Sequence, residues 1–317
     1  MKKLDRLSDI GEREFVKSVR EKLGIVDDDV FVDPELGLML KVDGFRLDFT
    51  AGGADLYDMG WKAVISSVSD VISRGGLPLE ALVSVGLPKG LTVHEANELM
   101  SGIEDATRYY NIKLVGGDTN EGNWIDVFLV AKPICYKPPH KVSSNVDLIL
   151  AEPIGYTEII FNSLGFKAGD NIFASKLRHP TPRKEVLQVL QTECERITYS
   201  TDISDGLFVT LGNVSRRLSL KVDVTGLGLS EESLMLIKEQ LGAHQPTGNL
   251  IDIIAKGGED YVTLFVVPSY HSRYVINRLA ELGLNPLKIG DGSPGSGVYY
   301  NGERVERRGW DSFKGWY

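Results

Sequence analysis

The sequence predicts an α/β fold of the α+β type, divided into two domains. Its 317 residues exceed what one small core needs and suit two domains of about 150 residues each. Segments with the periodicity of strands alternate with segments of helical periodicity in both halves, and acidic residues recur at the turns between them. The proline-containing stretch 133–145 is typical of a linker. We therefore predict an N-terminal domain over 1–135 and a C-terminal α/β domain over 136–317.

The composition is that of an ordinary globular protein, with 42% hydrophobic and 25% charged residues. A net charge of −9 argues against non-specific binding to nucleic acid or to anionic membranes. No apolar run approaches the roughly 20 residues of a membrane span, and the N-terminus lacks the apolar core of a signal peptide, so we predict a cytoplasmic protein. Cys135 and Cys194 show neither a disulfide framework nor zinc-ligand spacing, and we expect two buried or inert thiols.

The first half opens with a helix and two strands. Apolar residues recur at helical spacing over 11–23, and Gly24 ends that helix. A strand over 30–32 follows three adjacent aspartates, and a second strand over 37–42 ends at Asp43. The three aspartates, Asp27, Asp28 and Asp29, repel one another unless a positive charge lies beside them. They indicate either a metal site near Asp43 or a solvated loop.

A long helix is predicted next, over 58–74, and Asp70 falls among its apolar positions. A carboxylate there is costly unless it is paired or metal-bound, and the alternative is a place on the polar flank of the helix. Gly116 and Gly117 precede Asp118 in a predicted turn that either approaches a ligand closely or is a plain tight turn. The other elements predicted in this half are a helix over 92–110 that begins with a capping box and strands over 80–87, 112–115 and 124–131.

The second half repeats this arrangement around the stretch 200–207. Asp202 and Asp205 lie there in a predicted strand-to-helix turn, together with hydroxyl side chains that can meet a phosphate. Ser204 and Asp205 are also good helix caps, which is the competing interpretation. A Gly-Gly-acid turn carrying Glu259 precedes the last predicted strand. The elements predicted in this half are strands over 147–151, 220–224 and 262–267 and helices over 155–164, 183–193, 207–218, 230–240 and 270–282.

The chemistry-bearing residues are carboxylates at turns. The chain lacks a Walker A signature, the protein-kinase His-Arg-Asp set, a Gly-x-Ser-x-Gly elbow and a His-Glu-x-x-His zinc motif. Carboxylate oxygens suit Mg²⁺ ions that bridge to substrate phosphates, and phosphoryl transfer mainly requires positioning and charge neutralisation. So many carboxylates would repel a nucleotide without metal. The pattern therefore predicts strict metal dependence.

A series of motifs makes the chain resemble the thiamine-monophosphate kinase family. This family lies in the superfamily of aminoimidazole ribonucleotide synthetase, selenophosphate synthetase and a hydrogenase maturation protein. Each motif alone is modest, and their order and spacing over nearly the whole chain carry the resemblance. The motifs are Asp28-Asp29 before a strand, Asp58-Met59-Gly60-Trp61 through Gly75-Gly76-Leu77-Pro78, Leu82-Val83-Ser84 through Leu87-Pro88, Gly116-Gly117-Asp118-Thr119, Asp202-Ile203-Ser204-Asp205-Gly206-Leu207, Gly257-Gly258-Glu259-Asp260-Tyr261 and Gly309-Trp310-Asp311-Ser312-Phe313.

The resemblance implies a two-domain fold in which the N-terminal halves of two subunits form a shared β-barrel. It implies a homodimer that binds ATP, Mg²⁺ and a small phosphorylated metabolite. By position, the metal ligands would be Asp27, Asp28, Asp29, Asp43, Asp70, Asp118 and Asp205. The ATP phosphates would lie along Gly117, Asp118, Thr201, Asp202 and Ser204. The acceptor would face Asp43, Glu259 and Trp310, and the catalytic residues would be Asp205, Asp118 and Lys141.

The chain departs from the family pattern at two places. Asp43 is followed by Gly44-Phe45-Arg46-Leu47 where the family has Val-Glu-Gly-Val-His-Phe. His140-Lys141 stands where the family has Arg-Ser-Gly-Ala, so the phosphate-binding arginine is missing. Lys141 supplies a positive charge there, in preference to Lys62 or Lys132, but it lacks the fork of a guanidinium.

The function implied by the resemblance is transfer of the γ-phosphoryl group of ATP to thiamine monophosphate, in line and without a covalent enzyme intermediate. Two alternatives stay open at this point. One is an ATP-dependent kinase or synthetase of the same superfamily with another phosphorylated acceptor. The other is a nucleotide-binding regulator that has lost catalysis. The retained acids argue against the regulator, because a non-catalytic binder has less need of costly carboxylates.

Overall fold

The computed structural model describes residues 6–48, 54–155, 172–231, 233–235, 257–305 and 309–316. They form a five-stranded and a seven-stranded sheet with flanking helices, and a two-stranded hairpin near the C-terminus, which confirms the predicted α/β class. The helices are α1 (Leu7–Ile10), α2 (Glu12–Leu23), α3 (Leu56–Ser73), α4 (Val93–Tyr109), α5 (Ile172–Arg178), α6 (Glu185–Glu193), α7 (Leu207–Leu218) and α8 (Ser272–Glu281). The strands are β1 (Phe31–Asp33), β2 (Leu38–Phe45), β3 (Gly76–Leu87), β4 (Lys113–Glu121), β5 (Trp124–Pro133), β6 (Val146–Leu150), β7 (Tyr199–Ile203), β8 (Leu220–Val224), β9 (Val262–Pro268), β10 (Leu287–Pro294), β11 (Val298–Tyr300), β12 (Glu303–Val305), β13 (Trp310–Asp311) and β14 (Gly315–Trp316).

The five-stranded sheet has one covered face and one open face. Its strand order is β1-β2-β5-β3-β4, with β3 and β4 parallel. The covered face lies against α3, whose apolar residues are almost all buried and whose Ser67 hydroxyl donates to the Val127 carbonyl oxygen at 2.7 Å. On the other face Val42 and Leu82 stay exposed, and every residue of β4 is exposed. A sheet with this asymmetry leaves apolar side chains without a covering layer.

The seven-stranded sheet has the order β12-β11-β8-β10-β6-β9-β7. All residues of β6 and β7 are buried, and Phe208 and Leu211 of α7 belong to the same apolar cluster as Leu148 of β6 and Val266 of β9. Strand β7 pairs with β9 in antiparallel register. This pairing places the end of β7 beside the segment that leads into β9.

Helix α3 also contacts the seven-stranded sheet. The Ser73 and Thr263 hydroxyls lie 2.6 Å apart, and Arg74 at the end of the helix donates from Nη1 to the Ser200 carbonyl oxygen at 2.7 Å. One buried apolar cluster includes Val68 of α3 and Phe265 of β9. The strands of the five-stranded sheet precede residue 135 in the sequence, and those of the seven-stranded sheet follow it. Because the two sheets share a core, the division into two domains stays a prediction.

Two predicted turns are wrong, because they lie inside strands. The stretch Gly116 to Asn120 belongs to β4, which continues to Glu121 and pairs with β3. Gly117 approaches β3 so closely that a Cβ there would lie 2.0 Å from the Val83 carbonyl oxygen. Asp43 likewise lies within β2, which continues to Phe45 through its pairing with β5. In both cases hydrogen bonds from distant strands outweigh the low strand propensity of glycine and aspartate.

The expectation of two free thiols is also wrong. Cys135 and Cys194 form a disulfide with a Cα–Cα distance of 5.7 Å across 59 residues of sequence. The Cys135 backbone N–H donates to the Gly75 carbonyl oxygen at 3.2 Å, and Cys194 begins a 3₁₀-helix after α6. One cysteine in each half gives no spacing signal, so only the folded chain reveals the pair.

Local helix signals are confirmed. Thr92 caps α4 in a reciprocal capping box with Glu95, and Gly24 ends α2 in the left-handed conformation at φ 68°. The helix predicted over 155–164 lies outside the described residues apart from residue 155, as does most of the one predicted over 230–240. Among the helices that are described, none has the length and apolarity to span a membrane. The cytoplasmic location stays a prediction.

Candidate functional site

A cleft of about 1420 Å³ lies between α2, β2, α3, the β7–α7 turn and the C-terminal hairpin β13–β14. Most of the residues singled out from the sequence line it, although they come from both sheets. They are Asp27, Asp28, Asp29, Asp43, Asp70, Thr201, Asp202, Ser204, Asp205, Glu259 and Trp310. The fold therefore brings these residues together in one concave site.

Three of the selected residues do not line this cleft. Gly117 and Asp118 lie on the exposed strand β4, where the Asp118 carboxylate accepts a hydrogen bond of 2.7 Å from the Asn120 side-chain amide. Lys141 is exposed in the linker. The nucleotide, metal and catalytic roles given to these residues stay predictions that rest on the resemblance.

The β7–α7 turn is held by backbone bonds from two other segments. The Glu259 N–H donates to the Ser204 carbonyl oxygen at 2.6 Å, and the Trp310 N–H donates to the Asp205 carbonyl oxygen at 3.2 Å. Gly206 is the N-cap of α7, with φ 109° and no side-chain capping bond. The alternative that Ser204 or Asp205 caps this helix is therefore wrong. Both side chains instead line the cleft.

The turn before β9 has a strained backbone. Glu259 and Tyr261 have φ values of 58° and 51°, a region that costs on the order of 1 kcal/mol or more for a residue with a side chain. The Tyr261 N–H donates to the Ile203 carbonyl oxygen at 2.8 Å, and the Glu259 carboxylate accepts from the buried Lys62 ammonium at 2.7 Å. These contacts hold the strained turn against the β7–α7 turn. Strain at a cleft points to a functional role for the Glu259 carboxylate.

The C-terminal hairpin and α2 hold each other at the edge of the cleft. The Glu12 N–H donates to the Asp311 carboxylate at 3.1 Å, and the Ser312 N–H donates to the Glu12 carboxylate at 3.1 Å. Arg13 contacts the Trp310 carbonyl oxygen and lies 3.5 Å from the Asp205 carboxylate. These contacts hold the backbone of Trp310 beside Asp205.

Arginines neutralise the three adjacent aspartates. Arg74 donates from Nε and Nη2 to the two Asp28 carboxylate oxygens at 2.9 and 2.8 Å, and both side chains are 1% exposed. Asp29 accepts from Arg217 at 2.8 Å and from the Thr201 hydroxyl at 2.8 Å. Burial alone would raise the pKa of Asp29, but the Arg217 charge and its hydrogen bond bring it below the ordinary value. The assignment of these aspartates to a metal stays a prediction.

Burial raises the pKa of three other carboxylates in the cleft, those of Asp70, Asp202 and Asp205. Burial raises the pKa of Asp70 well above its ordinary value, and repulsion from Asp202 adds to this despite the nearby Lys41 ammonium. Burial also raises the pKa of Asp202 to about 6, and the pKa of Asp205 to about 6. Raised carboxyl pKa values mark a position that favours an added positive charge.

Lys41 is the functional candidate that the sequence reasoning missed. Its ammonium contacts the Asp70 carboxylate and lies 3.6 Å from that of Asp43. Lysine is an ordinary residue on a strand, and the available signal was its i, i+2 spacing to Asp43, which places both side chains on one face of β2. The lysine charge thus lies between two carboxylates.

These carboxylates fit a divalent cation in their chemistry. No group of three or more acidic, histidine or cysteine ligands is already assembled among the described residues. The Lys41 ammonium instead bridges Asp70 and Asp43, and Asp205 lines the same cleft. Carboxylate oxygens are the ligands that Mg²⁺ prefers. The predicted metal role of Asp43, Asp70 and Asp205 is compatible with this chemistry and stays a prediction.

The chain is similar in sequence to known proteins. Residues 26–132 match the family described as AIR synthase related protein, N-terminal domain. A thiamine-monophosphate kinase of Aquifex aeolicus (strain VF5) is 28% identical over 264 residues, which cover 80% of this chain and 81% of that protein. One from Pyrobaculum calidifontis is 26% identical over 316 residues, covering 97% of each chain.

A solved structure extends the likeness to the fold. It is described as AaThiL complexed with AMPPCP and TMP, and it superposes with a TM-score of 0.83 at 26% identity, covering 98% of this chain and 99% of that one. The resemblance predicted from the sequence motifs and the α/β fold with two sheets agree with these comparisons. Residues 26–132 thus match the AIR synthase related family, and the chain as a whole is similar in sequence and fold to thiamine-monophosphate kinases.

Proposed function

We propose that this protein is an ATP- and Mg²⁺-dependent kinase that converts thiamine monophosphate to thiamine diphosphate. A phosphate oxygen of the acceptor forms a bond to the γ-phosphorus of ATP, the bond to the β–γ bridging oxygen breaks, and ADP leaves. The observation that carries the proposal is the convergence of Asp43, Asp70 and Asp205 in one cleft. The proposal is also supported by a thiamine-monophosphate kinase that aligns over nearly the whole chain.

The catalytic contribution we propose for the protein is positioning and charge. Bound Mg²⁺ would supply charge neutralisation on the phosphates, held by Asp43, Asp70 and Asp205. Thr201 and Ser204 line the same cleft; the Ser204 hydroxyl would donate to a phosphate oxygen, and the Thr201 hydroxyl would do so after leaving Asp29. No residue forms a covalent intermediate in this scheme, so the transfer is direct and in line.

The acceptor would lie at the wall formed by Glu259 and Trp310. Lys62 holds the Glu259 carboxylate in place, and the clasp of α2 with the hairpin holds Trp310. An indole suits stacking on an aromatic heterocycle, and a carboxylate suits its amino groups. These two residues would therefore choose and orient the heterocycle.

We also propose that the active form is a homodimer built on the five-stranded sheet. Strand β4 is an edge whose nine residues are all exposed, including Leu114 and Val115, and Val42 and Leu82 are exposed on the open face. An exposed apolar edge of this length is a pairing site for another strand. Sedimentation of the purified protein tests this, and a monomer that retains full activity would contradict it.

The proposed reaction is tested by incubating the protein with ATP, Mg²⁺ and thiamine monophosphate and following thiamine diphosphate by chromatography. We expect product that requires both Mg²⁺ and acceptor. Asp205→Asn should lower the rate at least about tenfold, which is the effect of losing one charged contact. If ATP binds but no thiamine diphosphate forms, the proposal that thiamine monophosphate is the acceptor is contradicted.

A further inference from the structure

Three arginines meet at the end of the cleft where α2 and α7 approach each other. This arginine cluster consists of Arg20, in the last turn of α2, and Arg216 and Arg217, in the last turn of α7. All three contact the Asp27 carboxylate: Arg20 at 2.5 Å, Arg217 at 3.4 Å, and Arg216 through its Nη1. Two helices far apart in sequence thus bring three guanidinium groups to one carboxylate.

The members of the arginine cluster differ in burial. The Arg217 side chain is 5% exposed and also donates to Asp29 and, at 2.9 Å, to the Tyr199 hydroxyl. The side chains of Arg20 and Arg216 line the cleft and are 31% and 45% exposed. Arg217 therefore organises the buried acids, whereas Arg20 and Arg216 can reach a molecule in the cleft.

A guanidinium binds carboxylate and phosphate with the same forked geometry. The Asp27 carboxylate, 27% exposed, therefore occupies the place that phosphate oxygens would take between these arginines. Basic residues in the last turn of a helix also favour its dipole, which explains each arginine singly. The helix dipole does not explain why two helix ends converge on one carboxylate inside the cleft.

The position of the arginine cluster bears on the missing linker arginine. Lys141, the residue at that place in the sequence, is exposed and does not line the cleft. The arginine cluster does line the cleft, and it supplies the fork that a lysine lacks. The forked guanidinium groups that line the cleft here therefore include those at the ends of α2 and α7.

We propose that Arg20 and Arg216 form a phosphate-binding subsite in which Asp27 is an internal anion that the ligand phosphate displaces. The subsite deepens the proposed function and rests on it for the identity of the ligands. Two phosphates are candidates for it, the monophosphate of the acceptor and the polyphosphate of the nucleotide. Both present the same oxygens to a guanidinium.

Binding measurements in EDTA test the subsite without turnover. Calorimetry compares thiamine monophosphate with thiamine, and ATP with adenosine, for the unsubstituted protein and for Arg20→Gln, Arg216→Gln and Asp27→Asn. Arg108→Gln is the matched control, because Arg108 is also paired with two carboxylates but lies on exposed α4, outside the cleft. The circular dichroism spectrum and the melting temperature serve as the check that each variant is folded.

We expect each arginine variant to lose about tenfold in its preference for the phosphorylated ligand, the effect of one charged hydrogen bond. We expect Asp27→Asn to raise that preference, because the internal anion is gone, and Arg108→Gln to leave it unchanged. A loss in the thiamine arm identifies the acceptor phosphate as the ligand, and a loss in the adenosine arm identifies the nucleotide.

Equal losses for phosphorylated and unphosphorylated ligands would overturn the proposal, as would no change in either arm. Weaker phosphate binding by Asp27→Asn in EDTA would also overturn it. The comparison of ATP with adenosine can support the phosphate subsite even if the protein forms no thiamine diphosphate. Failure of the subsite and failure of the proposed reaction can therefore be told apart.

Discussion

Replacing Arg74 by methionine should lower the free energy of unfolding by about 3–5 kcal/mol, the cost of breaking a buried ion pair. The substitution leaves the Asp28 carboxylate charged and buried without its two hydrogen bonds of 2.9 and 2.8 Å. It also leaves the carbonyl oxygens of Ser200 and Lys137 without donors at 2.7 and 2.8 Å. The flexible methionine replaces only the packing of Arg74 over the Tyr199 ring, whose centroid lies 4.1 Å from the guanidinium carbon.

Urea unfolding followed by tryptophan fluorescence and by circular dichroism measures this loss, and coincident transitions justify a two-state treatment. The variants are Arg74→Met, Asp28→Asn and the double variant. We expect the double variant to lose less than the sum of the single losses, because it leaves no uncompensated charge. Arg108→Met, which removes an exposed pair on α4, is the control and should change stability by less than about 1 kcal/mol.

Two results would refute this reasoning about the buried pair. One is a loss below about 1 kcal/mol for Arg74→Met, and the other is strict additivity in the double variant. The same proteins test the predicted metal role of Asp28. A folded Asp28→Asn protein with an unchanged Mg²⁺ requirement would show that Asp28 serves the fold and not the metal.

Three further predictions follow from the disulfide, the acidic cleft and the strained turn. Cys194→Ser should lower the free energy of unfolding by up to about 4 kcal/mol, because the disulfide closes a loop of 59 residues. Urea unfolding with and without reductant measures this loss, and equal stability of the oxidised and reduced protein would contradict the prediction. In EDTA, stability should fall as pH rises from about 4 to about 6, because burial raises the pKa of Asp205 from 3.8 to about 6 and the folded state then binds the extra proton. Asp205→Asn should flatten the dependence of melting temperature on pH, and an unchanged slope would argue against it. Lys62→Met should reduce kcat/KM for the acceptor about tenfold or more, because it releases the Glu259 carboxylate. The control Lys89→Met, at an exposed ion pair, should leave kcat/KM unchanged. A change below twofold for Lys62→Met would show that Lys62 does not contribute to acceptor binding or turnover.

Sequence reasoning predicted features that depend on near neighbours. The capping box at Thr92 and the end of α2 at Gly24 involve residues within one helical turn, and both are confirmed. The acidic motifs also come together in one cleft, because Asp202 lies in β7, Asp205 follows it and Glu259 precedes β9, the strand that pairs with β7. Their roles in binding and catalysis stay predictions.

The same reasoning failed where distant strands supply the hydrogen bonds. Gly116 and Gly117 have the local signature of a turn, yet the ladder to β3 makes them part of β4 and leaves Asp118 away from the cleft. The disulfide was missed for a related reason, because two single cysteines in different halves carry no pairing information.

Periodicity, caps and motifs are local properties of the chain, and they were enough to predict the class of fold, the helix ends and the inventory of acids. The partners of each acid follow from the folded chain alone. Arg74 meets Asp28 across 46 residues, and Arg217 meets Asp29 across 188. Whether a carboxylate is neutralised by an arginine or awaits a cation depends on such distant contacts, since charge interactions are set by distance in space and by burial.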